Sequence, residues 1–207
     1  MGRVSAFGTR TAPGGGRHPY LEPDPNPYVP IGSTTDPDES ATDPDESATE
    51  PVVQRLRLLD ALAQGTVGGL LATVVMTTYR LPIARSLPPT AAFWARYVRA
   101  GDAADYPGIG LLLHLGYGAG AGAVFGVLFR IAGLDARPGH VREARGVSLA
   151  TIYGVALSVF GSRVVLGRLL GMDLDADEAL VFHVSHMIYA LTLGTWVGSR
   201  VGSDATK

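Results

Sequence analysis

The stretch Pro107 to Phe129, PGIGLLLHLGYGAGAGAVFGVLF, has no charged residue and repeats a small side chain at every fourth position. Gly110, Gly118, Gly122 and Gly126 fall on one face of a helix, with His114 in the same file. At a rise of about 1.5 Å per residue the run is long enough to cross the roughly 30 Å apolar core of a bilayer. It reads as a transmembrane helix with a glycine face for close packing. The pattern returns near the C-terminus, so the chain is expected to be a duplicated membrane bundle.

Hydrophobicity is concentrated in one part of the chain. Residues 1 to about 55 are rich in Gly, Pro, Asp, Glu, Ser and Thr, and bury too little to recover the roughly 1 to 2 kcal/mol per residue that ordering costs. A disordered acidic tail over 1–55 is expected, followed by a four-span transmembrane domain over 56–202. Within the tail TDPDESA occurs twice in tandem, at Thr35 to Ala41 and Thr42 to Ala48, and reads as solvated low-complexity sequence. The N-terminus has no continuous apolar run, so no cleavable signal peptide is expected.

The expected spans are about 58–80, 107–131, 146–168 and 178–200. Arg80, Pro82 and the pair Pro88-Pro89 end the first near a membrane surface. Phe93, Trp94, Tyr97, Arg96 and Arg99 suit a short helix over 90–100, lying in the interface or packed on the bundle ends. Ala132 to Arg145 reads as a polar loop. In the third span Gly146, Ala150, Gly154, Ser158 and Ser162 form one file. Asp175 and Glu178 stand at capping-box spacing before the fourth.

Laying His114 on His186 aligns HLGYGAGAGAVFG with HMIYALTLGTWVG, so that Tyr117 meets Tyr189, Gly122 meets Gly194 and Gly126 meets Gly198. The first and third spans align through GGLLAT and GVSLAT, placing Gly68 on Gly146 and Arg85 on Arg163. The fold expected is therefore an all-α four-helix membrane bundle built from a duplicated two-helix hairpin, both copies in the same orientation. Helices associate in lipid by close approach, which makes Gly118, Gly122, Gly126, Gly154, Gly194 and Gly198 the expected packing positions.

The same alignment gathers polar residues toward one side of the bundle. Ionisable groups at membrane depth are costly and mark candidate sites; here they are His114, Tyr117, His183, His186, Tyr189, Arg85 and Arg163. Three chemistries suit residues of these types. His114 and His186, with His183 as an alternative, have the residue type for bis-histidine haem ligation. A solute or ion pathway would be lined by Thr73, Thr77, Thr78, His114, Tyr117, His186 and Tyr189. The plainest reading is interhelical hydrogen bonding, for instance between a histidine and Tyr117, Tyr189 or Ser185.

Other chemistry is poorly served. There is no cysteine, which excludes disulfides and thiolate ligands. No GxSxG, HExxH or phosphate-loop pattern occurs, and no enzyme is expected. The acids Asp173, Asp175, Asp177 and Glu178 lack calcium-loop spacing. The expectation is thus no metal and no cofactor, haem being the alternative. The partners expected are the lipid bilayer and further copies of the chain, not nucleic acid.

The stretches LLATVVMTTYRLPIARSLPPTAAFWARYV and LLGMDLDADEALVFHVSHMIYALTLGTWVGSR resemble a group of uncharacterised multi-pass membrane proteins from halophilic archaea. The resemblance spans roughly Leu56 to Val201 and implies a prokaryotic cell-membrane location without implying any activity or site residue. A lone lysine, Lys207, beside an acidic tail is consistent with it. Arg55, Arg57, Arg130, Arg137, Arg142, Arg145, Arg200 and Lys207 slightly outnumber the basic residues of the opposite side, so the positive-inside rule places both termini in the cytoplasm. The function expected is a structural or accessory membrane component; a small-solute transporter or channel and a haem-binding electron carrier are the alternatives.

Overall fold

The computed structural model describes residues 44–83 and 89–202, and every regular element among them is helical. Five helices follow in order: α1 (Pro44–Arg80), α2 (Pro89–Tyr97), α3 (Pro107–Ile131), α4 (Gly139–Phe160) and α5 (Ala176–Arg200). A single 3-10 turn, Ala103–Asp105, precedes α3, and α4 runs on into ten residues of π winding, Gly161–Leu170. Four helical stretches are long and apolar enough to cross a bilayer: Glu50–Arg80, Pro107–Ile131, Gly139–Leu170 and Ala176–Arg200. That is what a multi-pass membrane protein requires.

Local chemistry sets the ends. Pro107 opens α3, where a missing N–H costs nothing. Gly133, at φ +66°, closes it, with Leu134 N–H on the Phe129 carbonyl at 3.2 Å. The Asp175 carboxylate accepts from the Glu178 N–H at 2.8 Å and starts α5. Gly171, at φ +65°, stops the π segment as Met172 N–H reaches the Leu166 carbonyl at 3.0 Å.

Three boundaries differ from the sequence reading. Helix α1 begins at Pro44, inside the stretch expected to be a disordered tail; the first TDPDESA copy lies outside the described residues. Its 37 residues make a rod of about 55 Å, and residues 50–59 are exposed all round, so that stretch stands clear of the bundle. Helix α4 begins at Gly139, within the expected loop, because its first turns are packed: Arg142 is buried and its Nε–H donates to the Gly198 carbonyl of α5 at 2.7 Å. The third span changes winding at Gly161. Its inward file then passes from Ser158 through Gly161, Leu166 and Leu170 rather than through Ser162, and Arg163 and Arg168 are left exposed.

Helix α1 packs on α3 and α5, and α4 packs on α5. The contact between α3 and α4 is slight and includes the Phe125 and Tyr153 rings at 5.5 Å, the Tyr153 hydroxyl on the Ala121 carbonyl at 2.9 Å and the Phe129 ring beside Gly146. The core runs through Phe125, Phe129, Leu193 and Val197, all fully buried.

Backbone meets backbone along both principal seams. In the first, Gly126 lies on Ala61, Gly122 on Gly65 and Gly69, and Gly118 on Thr73. In the second, Gly198 lies on Arg142 and Glu143, Gly194 on Gly146 and Ala150, and Gly154 on Ala190. All six expected packing glycines therefore sit against a neighbouring helix. The two seams also share one spacing. In it Gly65 occupies the place of Gly146 and Thr73 that of Gly154, three residues away from the register in which Gly68 lies on Gly146.

Candidate functional site

Where the glycine seams end, the helices part around a cavity of about 290 Å³. Helix α1 contributes Arg80 from its last turn, α3 contributes Leu113, His114 and Tyr117, and α5 contributes Phe182 and His186. The π segment supplies Gly161, Val165, Leu166 and Leu169. Helix α2 closes the end with Pro89, Thr90 and Phe93.

Helix α2 is held at both ends. The Thr90 hydroxyl donates to the Gly110 carbonyl of α3 at 2.6 Å, and the fully buried Ala91 packs where a Gly110 side chain would stand. At its other end Arg96 donates to the Leu170 carbonyl and the Tyr97 hydroxyl to the Leu169 carbonyl, both at 2.6 Å. Helix α2 thus bridges α3 and the end of the π segment across the gap between them, packed on the bundle ends.

The polar groups around this mostly apolar space are sparsely partnered. His186 uses Nδ1 on the Phe182 carbonyl at 2.9 Å, which turns the other edge of its ring toward Gly161. His114 has no hydrogen bond among the described residues, and Arg80 has no carboxylate within ion-pair distance there. One turn beyond Thr73, the buried Thr77 hydroxyl is also unpartnered among the described residues. Arg80, Pro89, Leu166 and Phe182 are shared with a second cavity of about 220 Å³, which carries Asp173, Asp177 and Glu178. Arg80 therefore stands between an acidic outer chamber and an inner one that no carboxylate lines.

Toward the bundle centre the space closes. His114, Tyr117 and His186 also border a residual void of about 20 Å³ with Thr73, Met76, Gly118, Leu157 and Tyr189. That is room for about one water. The Tyr189 hydroxyl donates to the Gly118 carbonyl at 2.7 Å and Thr73 donates to the Gly69 carbonyl at 2.7 Å, so this floor is internally satisfied.

Four of the seven expected polar residues, His114, Tyr117, His186 and Tyr189, thus meet at one level. The others do not join them. His183 lies on an exposed face of α5 and pairs with the buried Ser158 of α4. Arg163 is exposed and lines neither chamber, because the π winding turns it outward. Arg85 lies outside the described residues. Of the expected polar residues, Tyr189 bonds across helices to a backbone carbonyl and His183 to Ser158, rather than a histidine to Tyr117, Tyr189 or Ser185.

Two contributors were not singled out from sequence. Phe182 packs at a tilt against His186, 4.4 Å between centroids, and Gly161 lies beside it, where a Cβ would come within 2.8 Å of the Phe182 ring. Their i, i+4 spacing on α5 was the available signal for the Phe182–His186 pair. Among the described residues no group of three or more His, Cys, Asp or Glu is placed to hold a metal ion. The Phe182 ring stands beside His186, in the space that a macrocycle ligated by that histidine would need. Comparison with protein-family models, with characterised proteins and with solved structures finds no match.

Proposed function

We propose that this chain is an accessory component of the cell membrane that holds a small ligand in the cavity between α1, α2, α3, the π segment and α5. One observation carries the reading: groups from three separate helices, Arg80, His114 and His186, converge on an apolar cavity with few partners of their own. Convergent polar groups in an apolar pocket are the general mark of a ligand site. Binding is favoured over conduction because the space narrows from about 290 Å³ to about 20 Å³ at Tyr189.

The matched seam contacts support descent from a duplicated hairpin with both copies inserted in the same orientation, and the excess of basic residues on the side of the termini supports a cytoplasmic location for both. Only the copy built from α1 and α3 carries α2 after its first helix, which is why one end of the bundle holds the cavity. Native mass spectrometry of the gently solubilised protein tests the reading. One retained small molecule per chain is expected, lost when Leu113→Trp fills the cavity. Equal mass profiles for both proteins would reject it.

A further inference from the structure

Resting on that reading, the structure also indicates how a ligand enters and what kind it is. Helices α3 and α4 meet through Ala121, Phe125 and Phe129 of α3 and Gly146 and Tyr153 of α4, all on the far side of the Tyr189 floor. Beyond that level α3 and the π segment are joined through α2, which packs on both. The gap between Leu113 and Tyr117 on one side and Val165 and Leu169 on the other is therefore a lateral opening. Tyr117 is 44% exposed and Leu169 41% exposed at its edges. Both edges belong to stretches long and apolar enough to cross a bilayer, and in such a crossing they would face lipid.

The interior sorts ligands by charge. Arg80 is a fixed cation. The acids nearest to it, Asp173, Asp177 and Glu178, line the outer chamber, and none lines the inner one. His114 and His186 supply further hydrogen-bonding nitrogens at the inner end. A volume of about 290 Å³ accepts a head and the first part of a chain, and the rest of that chain has a way out between α3 and the π segment. We infer that the cavity takes a single-chain amphiphile from the bilayer, its anionic head against Arg80 and His114 and its tail leaving through the lateral opening.

The absence of native cysteine makes the test clean. The full chain carrying Leu169→Cys, labelled with bimane and placed in phosphatidylcholine nanodiscs, is titrated with stearate spin-labelled near its carboxylate, and with the methyl ester of that stearate. The same label at Ile152, 69% exposed on α4, reports the bilayer background. Saturable quenching at residue 169 is expected, displaced by unlabelled stearate and weakened about tenfold by Arg80→Gln, with Arg80→Lys retaining it; a charge-assisted contact has that magnitude. The ester is expected to match the background.

Saturable quenching by acid and ester alike, unaffected by Arg80→Gln, would overturn the anionic head and leave the binding cavity standing. Displacement by acetate as effective as by stearate would overturn the bilayer source in favour of a free anion. Identical, non-saturable quenching at residues 169 and 152 would overturn the cavity reading as well.

Discussion

Replacing Gly122 by alanine adds a single methyl group, and the structure says where it goes. A Cβ there would come to 2.6 Å of the Gly69 Cα and 2.8 Å of its N, and would overlap the Gly65 carbonyl. These are backbone atoms and have no rotamer through which to step aside. Restoring ordinary contact requires α1 and α3 to separate by close to 1 Å, a gap that forfeits a quarter to a half of each dispersion contact along the seam. Overpacking of this kind costs about 1–3 kcal/mol. The same substitution at Gly116 or Gly120 meets nothing within 4 Å and gains helix propensity, about 0.8–1 kcal/mol. Reversible unfolding in mixed detergent–lipid micelles should therefore give opposite signs within one helix, Gly122→Ala less stable than the parent and Gly116→Ala and Gly120→Ala equal to it or better. Equal stabilities for all three would refute the backbone-contact seam.

Tyr189→Phe removes the hydroxyl that reaches the Gly118 carbonyl and should lower stability by about 0.6–1.7 kcal/mol in the same unfolding assay, leaving helix content unchanged. Expression with haem supplied should yield protein without a Soret band, since Phe182 occupies the space beside His186. A stoichiometric band abolished by His114→Ala or His186→Ala would establish the haem reading instead.

The sequence carried some levels of this organisation better than others. The glycine files of α3 and α5 are legible because a small residue every fourth position has one strong use in lipid, the approach of another backbone. The start of α4 was hidden: Arg142 reads as a solvated loop residue unless Gly198 is known to stand opposite it. The cavity was half visible. His114, Tyr117, His186 and Tyr189 share a level because the α3–α5 alignment fixes their depth. Whether Arg163 joins them depends on the winding past Gly161, and hydrophobic periodicity implies an α-helix where the chain takes up π turns. Nor does the sequence of α2 announce that Thr90 and Ala91 will seat on Gly110, since that contact joins residues with no shared periodic pattern.

All of this rests on four crossings of the bilayer, with the α2 region and the α5 start on one side and the α3–α4 connection on the other. Single cysteines introduced at Gln54, Asp102, Ala136 and Asp173, all exposed, test that arrangement with a membrane-impermeant maleimide applied to sealed vesicles of known orientation. The structure predicts labelling of residues 102 and 173 from one face and of residues 54 and 136 from the other. Labelling of residues 102 and 136 from the same face would contradict it.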